Sequence, residues 1–159
     1  MKLGIISDTH GLLRPEVAPA LKGVDRILHI GDVGDAFILT ELAKIAPVTA
    51  IRGNVDREGA CAKLPETEVV LIENPHHAGV YIYMLHDLKT LHLDPVAAKF
   101  AAVLYGHSHV PSITHKKGVL YFNPGSAGPR RFKLPVSMGR MTIEHNKINA
   151  KILPLETIT

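Results

Sequence analysis

Short apolar runs recur along the chain, and each closes on a loop of small polar residues. Residues 2–6 form the first run and end in Ser7-Asp8-Thr9-His10-Gly11; residues 26–30 form the second and end in Gly31-Asp32. Residues 47–51 form a third, which ends in Arg52-Gly53-Asn54-Val55-Asp56. Apolar runs of this length, bounded by turn residues, predict buried strands. Between them, a helix is predicted over residues 14–22, where Pro15 suits a first turn. Another is predicted over 36–45, where apolar residues at 37, 38, 42 and 45 keep helical spacing. The first third therefore reads β-α-β-α-β, which requires parallel strands with crossover helices.

The rest changes character. Residues 69–73 and 80–85 flank a turn-rich Asn-Pro-His-His-Ala-Gly segment and predict a hairpin. A short helix is expected over 94–99, and residues 101–105 predict a strand ending in Gly106-His107-Ser108-His109. Two further hairpins are expected: 112–115 with 119–122 across Lys116-Lys117-Gly118, and 136–144 with 147–153 turning at His145-Asn146. The fold class is α/β, with two mixed β-sheets packed as a sandwich and flanking helices outside. No repeat or linker divides the chain, so residues 1–159 are expected to form a single domain, and 46% hydrophobic residues suffice for its core.

Charge and cysteine content narrow the setting. A net charge of +3 without a basic run suits an anionic substrate and does not indicate nucleic acid. The single cysteine, Cys61, rules out an internal disulfide and reads as structural, so a reducing, cytoplasmic setting is expected. The apolar start is too short for a signal sequence or membrane span. Ten histidines are the unusual feature.

The strand-end loops collect candidate ligands: Asp8 and His10, Asp32, Asn54, His86, then His107 and His109. In open α/β sheets, ligands bind beyond the carboxyl ends of strands, so five such loops at one rim can build a site from distant sequence. Asp8-x-His10 and His107-x-His109 can each send two side chains to one place. Carboxylate, imidazole and amide oxygen suit Mn²⁺, Fe²⁺ or Zn²⁺, and the absence of thiolates points to a catalytic metal rather than a structural zinc.

The order Asp-x-His, Gly-Asp, Gly-Asn, His, Gly-His-x-His resembles the calcineurin-like metallophosphoesterases, in their small single-domain YfcE-type phosphodiesterase branch. Asn123-Pro124-Gly125-Ser126 followed by Pro129-Arg130 extends the likeness over nearly the whole chain. The resemblance implies a four-layer α/β fold and two divalent cations, Mn²⁺ foremost, with Ni²⁺, Fe²⁺, Zn²⁺ or Mg²⁺ as alternatives. Asp8, His10, Asp32 and His109 would hold one; Asp32, Asn54, His86 and His107 would hold the other. It implies in-line attack on a phosphodiester by a hydroxide shared between the metals. Phosphomonoesters or nucleotides would use the same metal site, and a non-catalytic protein-binding scaffold, as in the retromer complex, would use the same fold. Relatives of this branch often form homo-oligomers.

Two positions depart from the family pattern. Many relatives have Gly-Asn-His, whose histidine assists the leaving group. Here Val55 takes its place, followed by Asp56, a residue common in this branch and the remaining candidate for that task. Asp87 follows His86 where glycine is usual, which puts the conformation of that loop in question. Asn54, Arg130, Asn123 and Ser126 are the expected substrate contacts, with Arg52, Arg131 and Lys133 behind them. His29 reads as packed, and His76, His77, His92, His115 and His145 as solvent-facing. Asp35 belongs at a helix start rather than in the site.

Overall fold

Strand β1 (Lys2–Ile6) carries apolar residues on both faces, and both need cover. Leu3 and Ile5 join Leu28, Ile30 and Ile51 in one core, whereas Ile6 packs with Val17, Leu21, Ile38 and Leu42 in another. The computed structural model, which describes residues 1–155, shows how the two demands are met. Helices α1 (Val17–Ala20) and α2 (Phe37–Ala43) cover one face and a second sheet covers the other. Alternation decides the fit: a Cβ on Gly4, on the helix side of β1, would collide with Leu21.

The first sheet has the order β10-β9-β1-β2-β3. Strands β2 (Arg26–His29) and β3 (Val48–Ala50) run parallel to β1, β9 (Ser137–Glu144) pairs antiparallel with β1, and β10 (Lys147–Pro154) completes the sheet antiparallel to β9. The second sheet, β4-β5-β6-β8-β7, has parallel β5 (His77–Leu85), β6 (Phe100–Leu104) and β8 (Val119–Asn123) between edges β4 (Thr67–Asn74) and β7 (Ser112–Lys116). Val70, Ile72, Ile82, Met84, Leu104 and Phe122 fill the space between the sheets. The α/β sandwich of two mixed sheets with helices outside is the expected class. Among the described residues no helix is long and apolar enough to cross a membrane.

Local differences have local causes. The helix expected over 14–22 is regular only over Val17–Ala20, because Pro15 and Pro19 lack amide hydrogens and Gly23 then turns left-handed. The helix expected over 94–99 is replaced by turns: Ala98 N–H bonds to Asp94 O, but Lys99 adopts φ 60° and the chain enters β6. Six residues are too few to sustain a helix without strong packing. The first hairpin needs only Pro75 and His76 between its strands, since Asn74 pairs directly with His77. The other two hairpins turn at Lys117-Gly118 and His145-Asn146, both residues of each pair at positive φ, as two-residue turns with the twist of the strands require. A short 3₁₀ turn at Ala60–Lys63, unforeseen from the pattern, buries Cys61. The expected single domain of 1–159 extends over residues 156–159, which lie outside the described residues.

Candidate metal centre

The parallel strands β1, β2 and β3 end side by side, and their loops are sewn together by main-chain bonds. Asp8 N–H donates to Gly31 O (3.0 Å), His10 N–H to Asp32 O (3.0 Å), and Gly11 N–H to Val33 O (2.8 Å). From the second sheet, the loops after β5 and β6 join at Gly106 N–H to His86 O (3.0 Å). Close approach explains two glycines that precede candidate ligands. A Cβ on Gly53 would strike the Asp32 carboxylate, and one on Gly106 would strike Ser7 and Asp8. Asp8 (φ 54°), His10 (46°), Asp32 (52°), His107 (70°) and His109 (61°) all have left-handed backbone. Such conformations cost on the order of 1–3 kcal/mol each and persist where surrounding structure imposes them.

Seven side chains converge on one space. Asp8, His10 and His109 form one group whose ligand atoms lie within 4.8 Å of one another; Asp32, His86 and His107 form a second. His109 Nε2 is 3.3 Å from Asp8 Oδ1 and 3.3 Å from His10 Nε2. Asp32 Oδ2 lies between the groups, 3.6 Å from His10 Nε2 and 3.2 Å from His86 Nε2. Asn54 Oδ1 is 3.1 Å from His107 Nδ1, the spacing of adjacent ligand atoms around a cation at about 2.1 Å. Asp8 Oδ1 and His86 Nε2 are buried and have no hydrogen-bond partner among the described residues, a costly arrangement in a protein interior unless a cation completes it. The donor set therefore fits a pair of divalent cations.

In Asp8, Asp32 and His86 the other atom is fixed from behind. Ser7 Oγ–H (2.6 Å) and His107 N–H (3.2 Å) donate to Asp8 Oδ2, and Val55 N–H donates to Asp32 Oδ1 (3.0 Å). His86 Nδ1 meets the Ile30 carbonyl at 2.8 Å. A carbonyl only accepts, so Nδ1 carries the proton and Nε2 is the free donor atom, the arrangement a metal ligand needs. Burial pushes the His86 pKa down, but the neighbouring Asp32 and Asp8 carboxylates outweigh it and raise the pKa. Burial works against ionised Asp32, yet the adjacent His86 and the Val55 N–H bond hold its pKa low. In His10, burial outweighs the attraction of Asp32 and Asp8, and the pKa falls.

His29 is packed, as expected, but it also braces two ligand loops. Gly31 N–H donates to Nδ1 (3.3 Å), so the ring proton is on Nε2, which donates to Thr9 Oγ1 (3.0 Å); Thr9 in turn donates to Val33 O (3.0 Å). Burial, against the pull of Asp8 and Asp56, holds the His29 pKa down at about 4.

Several expected site residues take other roles. Asp56 is buried, and its carboxylate accepts from Val33 N–H (3.1 Å), Gly34 N–H (2.9 Å) and Gly53 N–H (2.9 Å). With both oxygens engaged by main-chain amides, it ties the Asp32 loop to the Asn54 loop rather than serving a leaving group. Asn123 is buried and fully used, donating to Gly106 O and Ser108 Oγ while accepting from Gly125 N–H. Ser126 is buried as well, donating to Asp8 O and accepting from Gly128 N–H. These two hold loops rather than face substrate.

The basic candidates also sort differently. Arg130 is exposed without a hydrogen bond or ion pair among the described residues, whereas the neighbouring Arg131 carries a charge felt at His10. Beside it Phe132 is 94% exposed. Arg52 is paired with Glu66 at 2.6 Å. Asp87 is extended (φ −109°) and starts a 3₁₀ turn over Leu88–Thr90 by accepting from Lys89 N–H, so the His86 loop needs no glycine there. Asp35 accepts from Phe37 N–H at the start of α2, away from the ligands. His76, His77, His92, His115 and His145 are exposed.

A cleft of about 760 Å³ opens on one flank of the centre. Asn54, His86 and His107 line it, together with Arg57, Tyr83, Thr90, His92 and Leu93. Sequence reading missed Arg57, Tyr83 and Leu93; no motif surrounds them, and only the fold brings them together.

Carboxylate, imidazole and amide donors gathered around one shared carboxylate at the rim of two mixed sheets describe a metallophosphoesterase type of centre. The chain belongs to the calcineurin-like phosphoesterase superfamily, whose domain model matches residues 1–146. It is 32% identical to a probable metallophosphoesterase of Methanocaldococcus jannaschii over 98% of this chain and 82% of that one. A phosphodiesterase from the same organism is 29% identical over 79% of this chain and 83% of its own length. Among solved structures, an archaeal phosphodiesterase matches with a TM-score of 0.76 and 24% identity, covering 96% of this chain and 100% of that one. Vps29 of Entamoeba histolytica complexed with zinc matches at TM-score 0.72 and 20% identity, covering 98% and 100%. At these identities the two structures speak to the fold alone.

Proposed function

We propose that the protein is a two-metal phosphodiesterase. The observation that carries this reading is the position of Asp32 Oδ2 between two groups of ligand atoms, with Val55 N–H holding the other oxygen. Asp8, His10 and His109 would hold one cation and Asn54, His86 and His107 the other, with Asp32 shared; the oxygen and imidazole mixture suits Mn²⁺, Fe²⁺ or Zn²⁺, and the family resemblance puts Mn²⁺ first. When bound, the pair supplies charge neutralisation at phosphate and acidifies water. The chain's own part is to fix the ligand atoms and to keep the first group dry. Asn54 reaches both the ligand cluster and the cleft, and its amide N–H₂ is a donor for a phosphate oxygen. No side chain is placed as a covalent nucleophile. The cleft has room for an ester arm much larger than a methyl group, since its volume far exceeds that of a phosphate alone.

The test is turnover of aryl diesters and monoesters by metal-stripped protein resupplied with Mn²⁺, Ni²⁺, Zn²⁺ or Mg²⁺. Diester hydrolysis restored by metal and led by Mn²⁺ is expected. Turnover that persists without metal, or fails with all four, overturns the reading.

A further inference from the structure

The cleft is one-sided. It touches Asn54, His86 and His107 but none of Asp8, His10 and His109, so a phosphate held at the centre has room for a large substituent in that direction. Its chemistry is equally uneven. Tyr83 lines it and lies flat on Phe100, ring centroids 5.1 Å apart and planes 2° from parallel, so the tyrosine ring is held in place before anything binds. Leu93 adds an exposed apolar wall.

Of the two arginines, Arg52 is occupied by Glu66. Arg57 donates through Nε to Asn54 O at 2.9 Å, and its terminal nitrogens have no partner among the described residues. Its guanidinium is therefore anchored to the ligand loop with donors to spare. A fixed aromatic ring, an apolar wall and a tethered fork of donors, in a space of about 760 Å³, match a flat heteroaromatic ring bearing acceptors on a polar linker.

Resting on the diesterase reading, we propose that this cleft is the subsite for a nucleoside arm, and that the substrate class is small nucleotidyl phosphodiesters. Through stacking and apolar contact of this kind, a nucleoside arm should raise affinity about tenfold or more over a methyl group.

The experiment uses ligands with a single arm, so that no second substituent competes for the cleft. Binding of adenosine 5′-monophosphate, thymidine 5′-monophosphate and methyl phosphate to the Mn²⁺-loaded protein is measured by calorimetry. The wild type is compared with Leu93→Trp, which fills the cleft, and with Arg57→Ala and Phe132→Ala. The expected result is a nucleotide-to-methyl-phosphate affinity ratio of about ten or more in the wild type, collapsing toward one in Leu93→Trp, reduced in Arg57→Ala and kept in Phe132→Ala. A wild-type ratio near one overturns the proposal, as does a ratio lost in Phe132→Ala but kept in Leu93→Trp, which would put the arm on the opposite rim. Because binding is read directly, absence of diester turnover would defeat the functional reading while leaving this result to stand or fall separately.

Discussion

The two candidate cation positions share Asp32 and differ in almost everything else. Asp8 and His109 are buried and His10 nearly so, and the group sits where the strand-end loops of the first sheet are joined by main-chain bonds. On the other side Asn54 and His107 are exposed and face a large cleft. On the proposed reading, one position would retain its ion and the other would meet substrate. The difference comes from packing, not from ligand type, since both mix oxygen and imidazole donors.

Removing the shared residue should erase the distinction. Asp32→Asn keeps the shape but takes away the charge between the groups, and a loss of about 10³-fold or more in kcat/KM on an aryl diester is expected. Elemental analysis should show fewer than two metals per chain; full loading with near-wild-type turnover would refute the bridging role.

Cutting one side at a time should sharpen the contrast. His107→Ala is expected to release one metal equivalent to a mild chelator, weakened by more than the ~10–100-fold typical of losing a residue that only supports a ligand, while the other equivalent stays bound; His109→Ala should disturb the buried position instead. Equal loss of both metals in both variants would mean that the two positions form one inseparable unit.

Asp56→Ala attacks what links the sides. It strands three amide hydrogens, and a destabilisation of about 2–3 kcal/mol, read by urea unfolding of metal-free protein, is expected together with weaker metal binding at both positions. An unchanged unfolding midpoint would show that the clamp is dispensable.

The last effect concerns pH. His29 is neutral in the folded protein down to about pH 4, whereas the unfolded chain takes up that proton near 6.5. Between those values the unfolded state binds more protons, so stability should fall as pH drops from about 6.5 to 4 and stop falling on this account below that. The His29 part is on the order of 3 kcal/mol. His29→Gln should shed this part of the slope in chelator-treated protein; identical pH profiles would contradict the assignment.

Strand-end ligands were legible in the sequence because each is announced locally, by an apolar run and then a small polar loop. The hairpin turns were legible for the same reason. What escaped depends on where side chains point after folding. Asn123 and Ser126 have suitable chemistry for phosphate, yet their atoms are consumed by Gly106, Ser108, Asp8 and Gly128, residues far from them in the chain. Arg130 and Arg131 are adjacent and alike, and only the loop's path puts the second within electrostatic reach of His10. Tyr83, Leu93 and Arg57 come from a strand and two separate loops, so no spacing rule could group them.

The left-handed backbone at Asp8, His10, Asp32, His107 and His109 has a consequence for redesign. Among residues with a side chain, aspartate, asparagine and histidine enter that region most readily, so these five positions filter substitutions by chirality before coordination chemistry is consulted. Glutamate or cysteine, equally good donors in solution, would have to pay in backbone strain at each of them. Retuning this centre toward another metal is therefore more tractable at Asn54 and His86, where no such filter operates.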